Sequence, residues 1–249
     1  MVGLDPKSEW AEEIKARIAE VPGVELVIGT GSTRAERLQR GIDASRGRVI
    51  LCHHPRSLVS KEGIEWLRDH ADEVTWGGFT HVFDVRHPLL LYTSWYSNRV
   101  RPRHGVIYLD HCIFFQRELL TRPIPNVAIF EDTLLSYILR ESGPPTILPF
   151  ASITSAVRFV RNGVLKQLFL NQVLKIKFLL GGDNQKMNDT YEKGLHLNDP
   201  LDDANLKNAE RQVAHSRTLL CSVLLTFALL LVAGVTCPCW SFRVGSLIP

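Results

Sequence analysis

The chain has 249 residues, of which 45% are hydrophobic and 22% charged, a composition that excludes a disordered or fibrous polypeptide. Its net charge of +3 is too mild to direct the whole surface at nucleic acid. The cysteines number five, an odd count without paired spacing, which argues against a disulfide framework.

The N-terminus has no basic flank followed by an apolar run, so it does not read as a secretory signal, and its glycine stands at position 3, not 2, which fails the myristoylation pattern. The first two hundred residues are therefore expected in the cytosol. Residues 8–20 predict a helix, with Ser8 as N-cap and Trp10, Ile14 and Ile18 at helical spacing. Pro22-Gly23 breaks it, and residues 24–28 predict a short strand. A loop at 29–32, a helix at 33–45 and a strand at 48–52 follow. That order predicts a right-handed crossover and a parallel sheet.

Residues 58–70 predict another helix. Phe79–Val85 and Val106–Phe115 read as strands, separated by an aromatic stretch containing Tyr92, Trp95 and Tyr96. Thr133–Glu141 predicts a helix ended by Gly143-Pro144-Pro145, with a strand around Thr146–Phe150. Residues 164–180 mix Leu, Val and Phe with Lys166, Lys175 and Lys177. They fit either a basic amphipathic helix at a membrane interface or an ordinary core helix. Residues 183–217 are polar and read as a tether.

From Leu219 to Val235 there is no charged side chain. Extended to 218–240, the segment reads as a single transmembrane helix. Roughly 21 residues suffice to cross a hydrocarbon core. Trp240 stands where an interfacial aromatic belongs, and residues 241–249 make a short tail. Lys207, Arg211 and Arg217 precede the segment and Arg243 follows it, so the bulk of the chain is expected on the cytosolic side.

Several blocks within 20–182 carry a resemblance. They are Thr33 to Gly41 with Ala44-Ser45-Arg46-Gly47; Gly77-Gly78-Phe79 through Phe83-Asp84; Tyr108-Leu109-Asp110-His111; Phe130-Glu131-Asp132; and Thr154 to Phe159. In common order and spacing they resemble family-2 glycosyltransferases, in particular a small bacterial-type subgroup with the GT-A fold. The resemblance implies an α/β domain over 1–182, with a Rossmann-like mixed sheet flanked by helices. It also implies a nucleotide-sugar donor, Mg2+ or Mn2+ as a cofactor, and an acceptor that is lipid-linked or small. Asp132, with Glu131 beside it, takes the place of the catalytic base. Asp110, Arg34, His54, Arg56 and Arg158 take substrate-binding places.

The sequence departs from that pattern twice. Arg56 stands where the metal-binding Asp belongs, and a guanidinium cannot ligate Mg2+ or Mn2+, although it can neutralise a diphosphate itself. The spacing of Gly41 and Gly47 also aligns the start of the chain with a later block, so the nucleotide-gripping front reads as missing and the sheet as shortened at its N-terminal side. An active transferase and a catalytically silent, membrane-bound relative that acts as a binding or scaffold protein both fit these residues. A Cys-His hydrolase built on Cys112 and His111 is a weaker third reading, because sequence neighbours rarely face each other for catalysis.

Overall fold

The computed structural model describes residues 2–4, 11–20, 25–28, 33–54 and 56–193. All of them fall in the compact unit Met1–Asn198. The predicted membrane segment 218–240, the tail and the 29–32 loop lie outside the described residues.

Seven strands are described: β1 (Val2–Leu4), β2 (Leu26–Ile28), β3 (Val49–Cys52), β4 (Ser57–Val59), β5 (Trp76–Phe83), β6 (Ile113–Gln116) and β7 (Thr146–Thr154). The helices are α1 (Ala11–Ala19), α2 (Arg34–Ala44), α3 (Lys61–Asp69), α4 (Pro88–Arg99), α5 (Glu131–Leu139), α6 (Val157–Asn162), α7 (Val164–Leu179) and α8 (Asn184–Glu192). The main sheet is five-stranded and mixed, in the order β3-β6-β5-β7-β4. β5 and β7 run parallel, while the β3–β6, β5–β6 and β4–β7 pairs are antiparallel.

The expected crossover from 24–28 through 33–45 to 48–52 does not form within one sheet. β2 pairs in parallel with β1 in a separate two-stranded sheet, and β3 joins the main sheet. The reason lies in β6, whose residues Ile113–Gln116 are all buried. Laid antiparallel against it, β3 sets Ile50 opposite Phe115 and Cys52 opposite Ile113, giving its buried side an apolar partner.

α2 starts where Thr33 accepts a hydrogen bond from the Glu36 amide at 3.1 Å. At its other end Arg117 donates to the carbonyls of Ile42, Ser45 and Gly47, satisfying groups that a helix terminus leaves open. The helix expected over 58–70 begins later. Ser60 caps it through the Gly63 amide, and Ser57–Val59 instead pairs with Ser152–Thr154 as β4. The strand expected over Val106–Phe115 also begins later, at Ile113. Ser136 Oγ accepts from the Ile107 amide and donates to the Ile107 carbonyl, holding that backbone out of the ladder. A 3-10 turn over Leu109–His111 and a left-handed Cys112 (φ 50°) follow. β5 begins three residues before the expected Phe79, at Trp76, and β7 runs four residues past the expected Phe150 to Thr154.

One face of the sheet packs Ile50, Trp76, Ile113 and Phe115 against Ala35 and Ile42 of α2 and Leu135 and Leu139 of α5. The other packs Phe79, Phe114 and Leu148 against Leu67 of α3. The tether expected from 183 begins instead as α8. Asp183 caps it, and Met187 is buried with Leu174 of α7 and Ile129. A polar composition concealed this, because one buried methionine is enough to seat a short helix. Among the described residues no helix is long and apolar enough to cross a membrane.

Candidate active site

A cavity of about 1230 Å3 opens where the end of β3, the starts of α2 and α5, and the inner sides of α7 and α8 converge. Every residue to which the resemblance gives a catalytic or substrate-binding place lines it: Arg34, His54, Arg56, Asp110, Glu131, Asp132 and Arg158.

Asp132 sits in the first turn of α5. The residue before that helix, Phe130, adopts a left-handed backbone (φ 69°), an uncommon state for a non-glycine residue. Its ring packs on Phe178 of α7 with centroids 4.6 Å apart, which ties down the peptide that aims Glu131 and Asp132 into the cavity. Asp132 Oδ1 accepts from the Thr133 amide at 2.7 Å, and Oδ2 accepts from the Leu109 amide at 3.3 Å. Burial, reinforced by the charge of Glu131, pushes the Asp132 carboxyl up to about 7. A carboxylate poised there suits proton transfer at neutral pH.

Glu131 plays a different part. It is 3% exposed and accepts an ion pair from Arg34 Nε at 3.0 Å. Its Oε2 is buried and has no hydrogen-bond partner among the described residues. Asp110 stands next to a buried histidine pair, with its Oδ2 3.5 Å from His81 Nε2. Burial opposes its ionisation, but His81, His111 and Arg101 hold the carboxyl below its usual range. His54 is pushed down to about 4, by burial first and then by Arg56, so it presents a neutral ring. Its Nδ1 accepts from the Arg56 amide at 3.2 Å.

The cationic side of the cavity is uneven. Arg158 is 5% exposed and held by the Tyr191 carbonyl at 2.9 Å, the Glu192 carboxylate at 3.2 Å and the Tyr191 ring at 3.9 Å. Its Nε is buried and has no hydrogen-bond partner among the described residues. Arg56 forms no ion pair among the described residues. Burial and the neighbouring charge of Arg158 both work against its protonated form. A half-buried cation crowded by another cation is stabilised by an anion in the cavity.

Further lining residues were not singled out from the sequence. Lys175 of α7 is pushed down to about 8 by burial and by Arg101. Arg101 lies 4.3 Å from the Tyr108 ring centroid, and Tyr191 and Glu192 close the far wall. Lys175 belonged to a stretch legible only as basic and amphipathic. Tyr191 and Glu192 fell within the expected tether.

The residues do not fit the divalent cation that the resemblance implies. Among the described residues no group of three His, Cys, Asp or Glu side chains is placed to hold a metal ion. Glu131 and Glu192 are committed to Arg34 and Arg158, and the cationic Arg56 stands in the same cavity. Cys112 and His111 do not form a nucleophile and base. His111 Nδ1 donates to the Phe79 carbonyl, and its Nε2 meets Ser97 Oγ at 2.8 Å. Cys112 is fully buried beside Ser152, and burial pushes its thiol up.

No family model matches the chain, and no curated protein matches it. Among solved structures, the mannosyltransferase PcManGT from Pyrobaculum calidifontis, in complex with GDP-Man and Mn2+, is similar to 90% of this chain over 68% of its own. The identity is 18% and the TM-score 0.47, a likeness too distant to assign family or activity.

Proposed function

We propose that this chain is a membrane-anchored glycosyltransferase that moves a sugar from a nucleotide-sugar donor to a lipid-linked or small acceptor. One observation carries the reading: Asp132, poised near neutrality, opens into the same cavity as the guanidinium groups of Arg34, Arg56 and Arg158. In a single displacement, the acceptor hydroxyl gives its proton to Asp132 as its oxygen bonds to the anomeric carbon. The bond from that carbon to the phosphate oxygen breaks, and its electron pair leaves with the nucleoside diphosphate. Arg56, helped by Arg158, meets the departing charge in place of a divalent cation. Residues 218–240 serve as the anchor, with the bulk of the chain on the cytosolic side.

A catalytically silent relative that binds a ligand at the membrane is the second reading. It is favoured by the ion pairs that already neutralise Arg34 and Arg158. The experiment that separates the two is turnover of UDP- and GDP-sugars by the full chain and by Asp132→Asn. Measurable transfer that falls about 10²- to 10⁴-fold in the variant supports the enzyme. Donor binding without transfer in either protein supports the silent relative.

A further inference from the structure

α4 and α7 meet in one apolar cluster, in which Leu89 and Leu90 of α4 and Val164 and Leu168 of α7 gather around Ala156, Phe159 and Val160 at α6. Their buried residues explain why each helix forms, but not their other sides. On α4, Leu91, Tyr92 and Trp95 are more than half exposed, at 56%, 59% and 54%. On α7, Phe169 (72%), Ile176 (57%) and Leu179 (73%) stand in solvent at i, i+7 and i+10, on one side of the helix. Single exposed hydrophobics are ordinary, whereas concentration on two helices that share one apolar cluster is not.

The charges around these side chains share one sign. No Asp or Glu occurs from Val85 to Leu109, or from Ser142 to Gly182. Arg86, Arg99, Arg103, Lys166 and Lys177 in those stretches are exposed. An ordinary soluble surface intersperses both signs. Two helices that carry basic but no acidic side chains and expose Trp, Tyr, Leu and Phe have the chemistry of segments lying in an anionic headgroup layer.

We infer that the α4–α7 face seats on an anionic lipid bilayer, with Leu91, Trp95 and Phe169 entering the acyl boundary and Lys166 and Lys177 meeting lipid phosphates. A second copy fits less well, because it sets basic side chains against basic side chains. The chain's own apolar segment 219–235 carries no acidic group to answer them. The inference does not depend on sugar transfer. It adds one consequence, since Arg101, just past α4, and Asn171 and Lys175 of α7 also wall the cavity. A bilayer under this face lies beside the site.

The test is tryptophan quenching by brominated phospholipid, with the full chain reconstituted in vesicles. The Trp95 signal is the difference between the full chain and Trp95→Phe, and because Trp95 is exposed the variant should fold. Quenching of that difference, at least twofold stronger when the vesicles contain phosphatidylglycerol, is expected. The double variant Lys166→Glu/Lys177→Glu should lose most of this gain while staying in the vesicle fraction with an unchanged melting temperature. Trp95 emission that bromolipid leaves untouched overturns the inference. Shielding from acrylamide would then show protein cover, and free access would show an open face. Equal quenching on neutral vesicles, insensitive to the lysine reversal, overturns it as well.

Discussion

At the residue scale, the proposed reaction asks most of Asp132, and the protonation of that carboxyl also has a thermodynamic signature. A carboxyl raised to about 7 in the folded protein, against 3.8 ordinarily, keeps its proton longer when folded than when unfolded. Its ionisation therefore lowers stability as pH rises from about 4 to about 7. Asp132→Asn removes that slope. Asparagine must turn its amide toward the amide of Leu109 or Thr133, a penalty that does not vary with pH. Urea unfolding at pH 4 and pH 8 should thus find the variant relatively more stable at pH 8. A difference that stays constant across that range contradicts the assignment. His54 and His111 act in the opposite sense. Both are pushed down to about 4 from 6.5, mainly by burial, so the unfolded chain binds their protons first. Their contribution is intact above pH 6.5 and is lost as pH falls toward 4. His111→Gln should flatten the acid side of the stability profile in the same unfolding assay, and an unchanged acid limb would show that His111 is already charged in the folded state.

Packing at the scale of single elements explains some of what the sequence made legible and some of what it hid. Gly77 and Gly78 stood out as part of a resemblance, yet their place in β5 has a steric cause. A Cβ on Gly77 would lie 1.9 Å from the Thr146 carbonyl oxygen on β7, and one on Gly78 would lie 2.8 Å from the His111 Cβ. Gly77→Ala therefore cannot keep the β5–β7 register. It should lose at least about 3 kcal/mol or fail to fold, as read by urea unfolding and circular dichroism. Arg117→Ala should cost about 2 kcal/mol in the same measurement. It removes the donor that the Ser45 and Gly47 carbonyls now share, while the Ile42 carbonyl keeps Ser45. The helices α2, α3, α5 and α7 were legible because their apolar spacing and end residues agree. β4 and the late start of β6 were not, since Ser57–Val59 and the 107–112 bend are fixed by distant partners. Ser152 and Thr154 of β7 both donate to the Asp110 carbonyl, a contact that no local pattern announces.

Over the whole molecule, the fold gathers candidates spread from Arg34 to Arg158 into one cavity. Their types and order were readable in the chain, whereas their pairing was not. Glu131 belongs to Arg34 and Glu192 to Arg158, and of the three arginines given substrate-binding places only Arg56 forms no ion pair among the described residues. Lys175, Tyr191 and Glu192 stayed hidden because they reach the site only when α7 and α8 fold back over it. The decisive measurement is calorimetric titration of the full chain with GDP- and UDP-sugars, first in EDTA and then with Mn2+. Binding of the same strength in both buffers, weakened about 10- to 100-fold by Arg56→Ala through loss of a charge-assisted contact, is the expected result. Binding that appears only with Mn2+, or none at all by a folded protein, would contradict an arginine-built diphosphate site.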